Sequence, residues 1–68
     1  MTFTIKSESI GNHYIELEQD AGTGLITVID CITDGSVCCR VNHLVTYSPE
    51  RIKSARAAYN RYRREAKI

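Results

Sequence analysis

The sequence has one proline, no tryptophan and no apolar run long enough to cross a membrane. Its longest nearly unbroken apolar stretch, Leu25 to Ile32, is interrupted by Thr27 and Asp30 and falls far short of the ~20 residues that a spanning helix needs. The opening residues, MTFTIKSESIGNHY, lack the basic-then-apolar order of a secretion signal. There is no internal repeat, low-complexity tract or linker. Cysteine is scarce and odd in number, three in all, which fits a reducing compartment better than a secreted disulfide framework. A cytoplasmic chain without membrane contact is expected.

The 68 residues allow one domain, 1–68. A chain of this size buries only about 60% of the surface its unfolded form exposes, which leaves little room for a spacious active-site cleft. Hydrophobic residues at 43% and charged residues at 25% exclude the composition of a disordered chain. The net charge of +1 conceals a division. Up to residue 48 there are two cations, Lys6 and Arg40, against six carboxylates; from residue 49 there are seven cations against Glu50 and Glu65. The body is acidic and the C-terminal segment basic.

The first two thirds read as strands, over residues 2–7, 13–19, 25–32 and 36–43. Phe3 and Ile5 alternate with threonines and Lys6, and His13, Ile15 and Leu17 alternate with Tyr14, Glu16 and Glu18, the period of half-buried strands. Pairing Ile5 with Leu17 places a three-residue loop at Ile10 to Asn12, and the two glycines of residues 20–24 mark the next turn. Connections this short permit only antiparallel neighbours. From Ser48, a suitable N-cap, the run from Pro49 to Lys67 reads as a helix with cations gathered towards its end. Ile52, Ala55, Tyr59, Tyr62 and Ala66 form one apolar stripe that should lie on the sheet. The expected fold is therefore α+β, a four-stranded antiparallel β-meander with one C-terminal amphipathic helix on one face, ββββα.

All three cysteines lie in CITDGSVCC, residues 31–39. If Asp34-Gly35 were a two-residue loop, Cys31 would face Cys38 and a cross-strand disulfide would be conceivable. A three-residue loop with Gly35 in the left-handed position puts Cys31 opposite Val37 instead. The second register is preferred because it groups Leu25, Thr27, Ile29 and Cys31 with Val37, Cys39 and Val41 beneath the helix, and turns Asp30 outward with Arg40. An unpaired buried carboxylate would be costly. Adjacent residues Cys38 and Cys39 point to opposite faces and cannot chelate one metal side by side. With only His13 and His43 besides, and no paired ligand spacing, no metal site is expected.

No cofactor motif is present either: no glycine-rich phosphate loop follows a strand and opens a helix. Neither histidine has a nucleophile or carboxylate at a recognisable spacing, and Cys38 beside Arg40 is the only thiol placed for reactivity. A thiol- or histidine-dependent enzyme is therefore the least favoured reading, and the chain is expected not to be an enzyme. On the helix, Lys53, Arg56, Asn60, Arg63 and Lys67 line a second stripe, widened by Arg61 and Arg64, that suits sequence-independent phosphate contacts or an acidic protein. Opposing this on the sheet is the acidic row Glu16, Glu18 and Asp20, with Glu8 nearby.

One helix cannot cover both faces of a sheet. In the preferred register Ile26, Val28 and Ile32, with Cys38 and Arg40, lie on the uncovered side, and an exposed apolar patch marks a partner or homodimer interface. The leading expectation is a stand-alone protein-interaction module that occupies a partner's surface. In size and layout it looks like the small regulators and inhibitors carried by phages and other mobile elements, an analogy of scale and shape with no residue motif behind it. The alternative is a non-specific nucleic-acid-binding protein working through the basic helix.

Overall fold

A computed structural model describes residues 1–33 and 39–67. Strands β1 (Thr2–Ile10), β2 (His13–Asp20), β3 (Ile26–Thr33) and β4 (Cys39–Tyr47) form one antiparallel sheet in sequence order. A 3-10 turn, Pro49–Arg51, leads into helix α1 (Ile52–Ala66), which packs on the sheet. This is the ββββα meander that the alternation and the helical stripe imply.

The first hairpin turns more tightly than expected. Ile10 pairs with His13, so only Gly11 and Asn12 lie between the strands, and Gly11 takes φ +58, the conformation of the first central residue in a type II′ turn. Lys6, not Ile5, then stands opposite Leu17, and the register shifts between Thr4 and Lys6. Ile5 is the additional residue of a β-bulge, which bends and twists an edge strand. The second turn is tied by Asp20, whose Oδ2 accepts hydrogen bonds from the Thr23 amide at 2.9 Å and the Thr23 hydroxyl at 2.7 Å. These bonds hold its carboxyl well below the ordinary 3.8, at about 2.

The pairing of β3 with its neighbours decides which sheet face is free. Leu17 pairs with Val28 and Val28 with Val45, while Ile15 pairs with Asp30 and Asp30 with His43. Directly opposed residues share a face, so Ile15, Leu17, Ile26 and Val28 all lie beneath α1, where each is buried. Ile26 and Val28 therefore belong to the core and not to the uncovered side. β4 also begins later than expected: Thr33 pairs with Cys39 and Cys31 with Val41. Cys31 thus faces neither Val37 nor Cys38. Residues 34–38, including the expected left-handed Gly35, Val37 and Cys38, lie outside the described residues.

The helix contributes Ala55, Ala58, Tyr59 and Tyr62 to the core, with Ile52 and Ala66 partly buried beside them. The two alanines let the helix axis approach the branched side chains of β2 and β3, and each fully buried Ile, Leu or Val contributes about 1.5–3 kcal/mol. α1 lies over β2, β3 and β4. β1 flanks it and is reached by long side chains: the Arg63 Nε stands 2.9 Å from the Glu8 Oε1, and the Lys6 ammonium lies 5.3 Å from the centre of the Tyr59 ring.

Candidate functional site

The face turned away from α1 is built in three rows that follow from the register. Across the sheet they read Ser9, Tyr14, Cys31, Val41; then Ser7, Glu16, Ile29, Leu44; then Thr4, Glu18, Thr27, Thr46. Leu44 is 59% exposed, Val41 55% and Tyr14 38%, with Ile29 and Cys31 half-buried among them. The β3–β4 half of this face is apolar, and Glu16 and Glu18 flank it on β2. Cys39 and Val41, expected to be buried, are exposed here.

Of the residues expected to form the open apolar face, Ile26 and Val28 are inside. Ile32 is half-buried and Arg40, its opposite number, is exposed; both lie on the helix side of the sheet, in one row with His13 and next to the row of Asp30 and His43. Cys38 lies outside the described residues. An uncovered apolar face exists, but the odd-numbered residues of β3 form it. Cys31 does share a face with Cys39 and Val41, and Asp30 the other face with Arg40, but α1 covers the face of Asp30 and not that of Cys31.

Asp30 is 2% exposed and is not unpaired. Its Oδ1 lies 3.0 Å from the His13 Nδ1, and its Oδ2 accepts a hydrogen bond from the Asn42 Nδ2 at 3.0 Å. Asn42 reaches it because the β3–β4 register shifts beside Asp30, where Asp30 pairs with His43 and Cys31 with Val41. That shift makes Asn42 an extra residue. A buried carboxylate with both oxygens engaged is tolerable where an unpaired one is not. The sequence carries a signal for this arrangement, a lone acid inside an apolar run with a histidine on the neighbouring strand, and Asp30 lies inward where the preferred register turns it outward.

The histidines serve packing and polar satisfaction. The His43 ring stacks on Tyr62 with centroids 4.6 Å apart and planes within 9°, and its Nε2 stands 3.5 Å from the Glu65 Oε1. Neither ring contacts a serine, threonine or cysteine nucleophile among the described polar contacts. Burial pushes the Cys31 thiol up to about 11, helped by its hydrogen bond with Cys39. A thiol held protonated at neutral pH is a poor nucleophile. Among the described residues no group of three or more His, Cys, Asp or Glu side chains is arranged to hold a metal ion, and no helix is long and apolar enough to cross a membrane.

On the helix, Lys53, Arg56, Asn60, Arg61, Arg64 and Lys67 are exposed. Arg63 departs from the expected basic stripe. Its Nη2 donates to the Glu8 Oε2 at 3.4 Å, while Nε, close to Oε1 but poorly aligned, makes an ionic contact rather than a hydrogen bond. Glu8 accordingly belongs to the helix side and not to the acidic row of the open face. The buried Tyr59 hydroxyl has no partner among the described residues, and burial raises its pKa, with the Glu8 charge adding to the shift.

No protein-family model, curated protein or solved structure matches this chain significantly. Its functional reading therefore rests on the geometry of these two faces.

Proposed function

We propose that this protein is a small non-enzymatic interaction module, a regulator or inhibitor that acts by covering a surface of a protein partner. The observation that carries the reading is the open sheet face, where Leu44, Val41 and Tyr14 are exposed around Ile29 and Cys31. Contiguous apolar surface of this kind on a small domain is characteristic of interaction sites. Glu16 and Glu18 beside it favour a partner whose apolar patch carries lysine or arginine at its rim, which also speeds encounter. Self-association through the same face brings two acidic flanks into one interface, so a different protein is the favoured occupant over a second copy.

Comparative capture tests this reading. Leu44→Glu with Val41→Glu alters only exposed positions and should abolish retention of the partner, whereas Arg56→Glu with Arg64→Glu should leave it intact. The opposite pattern overturns the proposal. Sedimentation of the isolated chain distinguishes a homodimer.

The second reading is nucleic-acid binding by α1, favoured by one observation. Among the described residues, Lys53, Arg56, Arg61, Arg64 and Lys67 have no carboxylate within ion-pair distance. Such a binder must lose affinity steeply as salt is added, and loss of Arg63 to Glu8 leaves it one fewer cation. DNA or RNA binding that collapses with salt and with the Arg56→Glu, Arg64→Glu variant would support this reading. No binding at low salt would remove it.

A further inference from the structure

Between β1 and α1 the surface dips into a hollow of about 280 Å³ lined by Ile5, Lys6, Leu17, Arg56, Tyr59 and Asn60. It lies on the opposite side of the sheet from the proposed partner face. The bulge at Ile5 shapes one wall: it advances the register so that Lys6, and not Ile5, stands opposite Leu17. The buried Leu17 and Tyr59 contribute an apolar floor. One turn of α1 supplies the other wall, since Tyr59 and Asn60 follow Arg56 by three and four residues and so neighbour it on the helix surface.

The charges around this hollow are unbalanced. Glu8, the acid whose charge reaches Tyr59, is committed to Arg63. Among the described residues neither Lys6 nor Arg56 has a carboxylate within ion-pair distance. Lys6, Arg56 and Asn60 thus line one hollow together with apolar and aromatic surface, and the Lys6 ammonium lies 5.3 Å from the centre of the Tyr59 ring. An arginine and a lysine lining the same hollow suit a planar anionic group, which the arginine fork can meet with two parallel hydrogen bonds. Small-molecule pockets span roughly 300–1,000 Å³, and this hollow sits just under that range, too small for a nucleotide and adequate for a single ring or short chain.

We propose that the hollow is a binding site for a small organic carboxylate, with the anionic head held between Lys6, Arg56 and Asn60 and the apolar body resting on Ile5, Leu17 and the Tyr59 ring. This goes beyond the partner-binding reading and does not depend on it, because the site and its test involve the isolated chain alone.

Amide chemical shifts of the isotopically labelled protein, titrated separately with benzoate, its neutral isostere benzamide and inorganic phosphate, test the proposal. Benzoate should produce saturable shifts centred on Lys6, Arg56 and Asn60. Benzamide, lacking the charge, and phosphate, lacking the ring, should each bind about tenfold more weakly or not at all. The doubly substituted Lys6→Gln, Arg56→Gln protein, altered only at exposed positions, should lose benzoate affinity by at least about tenfold while keeping a dispersed folded spectrum. Benzoate shifts that do not saturate, benzamide or phosphate binding as well as benzoate, or undiminished benzoate binding by the double variant would overturn it.

Discussion

Asp30 has two carboxylate oxygens, and the fold commits both, Oδ1 to His13 and Oδ2 to Asn42, each at 3.0 Å. Removing the carboxylate with Asp30→Ala strands two polar partners at the margin of the core, but both can regain water. The expected cost is about 1–3 kcal/mol in a urea melt; an unchanged midpoint would mean that the pairing contributes nothing. Asp20 gives a pH signature of a different kind. Its carboxyl titrates at about 2 in the folded chain against the ordinary 3.8, chiefly through its bonds to Thr23. A folded-state value below the unfolded one stabilises above the unfolded value and is lost as pH falls through the folded value. Stability should therefore decline between about pH 4 and pH 2, and Asp20→Asn, which can still accept from Thr23, should flatten that decline. At this scale the sequence was legible for the grouping of Cys31 with Cys39 and Val41 on one face, although that face is the one turned away from α1. It was not legible for Asp30, because pairing partners on other strands do not appear in its own neighbourhood of the chain.

Among the elements, α1 was the most readable: Ile52, Ala55, Tyr59, Tyr62 and Ala66 recur at helical spacing, and all five pack towards the sheet. Strand existence and order were readable too, from alternation and the glycine-marked turns. Register was not, since each of two bulges, at Ile5 and Asn42, adds one residue that no local pattern announces. That one sheet face stays uncovered follows from counting elements, but which side chains of β3 lie under α1 depends on its pairing with β2, Leu17 opposite Val28, and on the partners that let Asp30 go inside. A contact between elements offers a sharper check. Gly24 takes φ +80, and a Cβ there would meet the Pro49 Cγ at 2.7 Å, so the turn before β3 rests against the start of the 3-10 turn. Gly24→Ala combines an unfavourable backbone with overlap against a rigid ring and should destabilise by about 1–3 kcal/mol. Thermal or urea denaturation of that variant would measure it, and a neutral result would place the two segments further apart.

Taken whole, the molecule separates its surfaces by charge and polarity. The helix side presents cations that have no ion-pair partner among the described residues around a shallow hollow, and the far side of the sheet presents Leu44, Val41 and Tyr14 beside Glu16 and Glu18. This separation arises from sequence order, because the cations concentrate after residue 48 and the acids before it, and the antiparallel meander places the helix on one side only. The partner face is central to the account, and methyl relaxation by a soluble gadolinium chelate reads it directly, in the free protein and again with the captured partner bound. Val41 and Leu44 methyls should be strongly attenuated in the free protein while Ile26 and Val28 are spared, and the bound partner should restore the Val41 and Leu44 signals. Attenuated Ile26 and Val28 in the free protein, or Val41 and Leu44 methyls that remain attenuated in the complex, would contradict it.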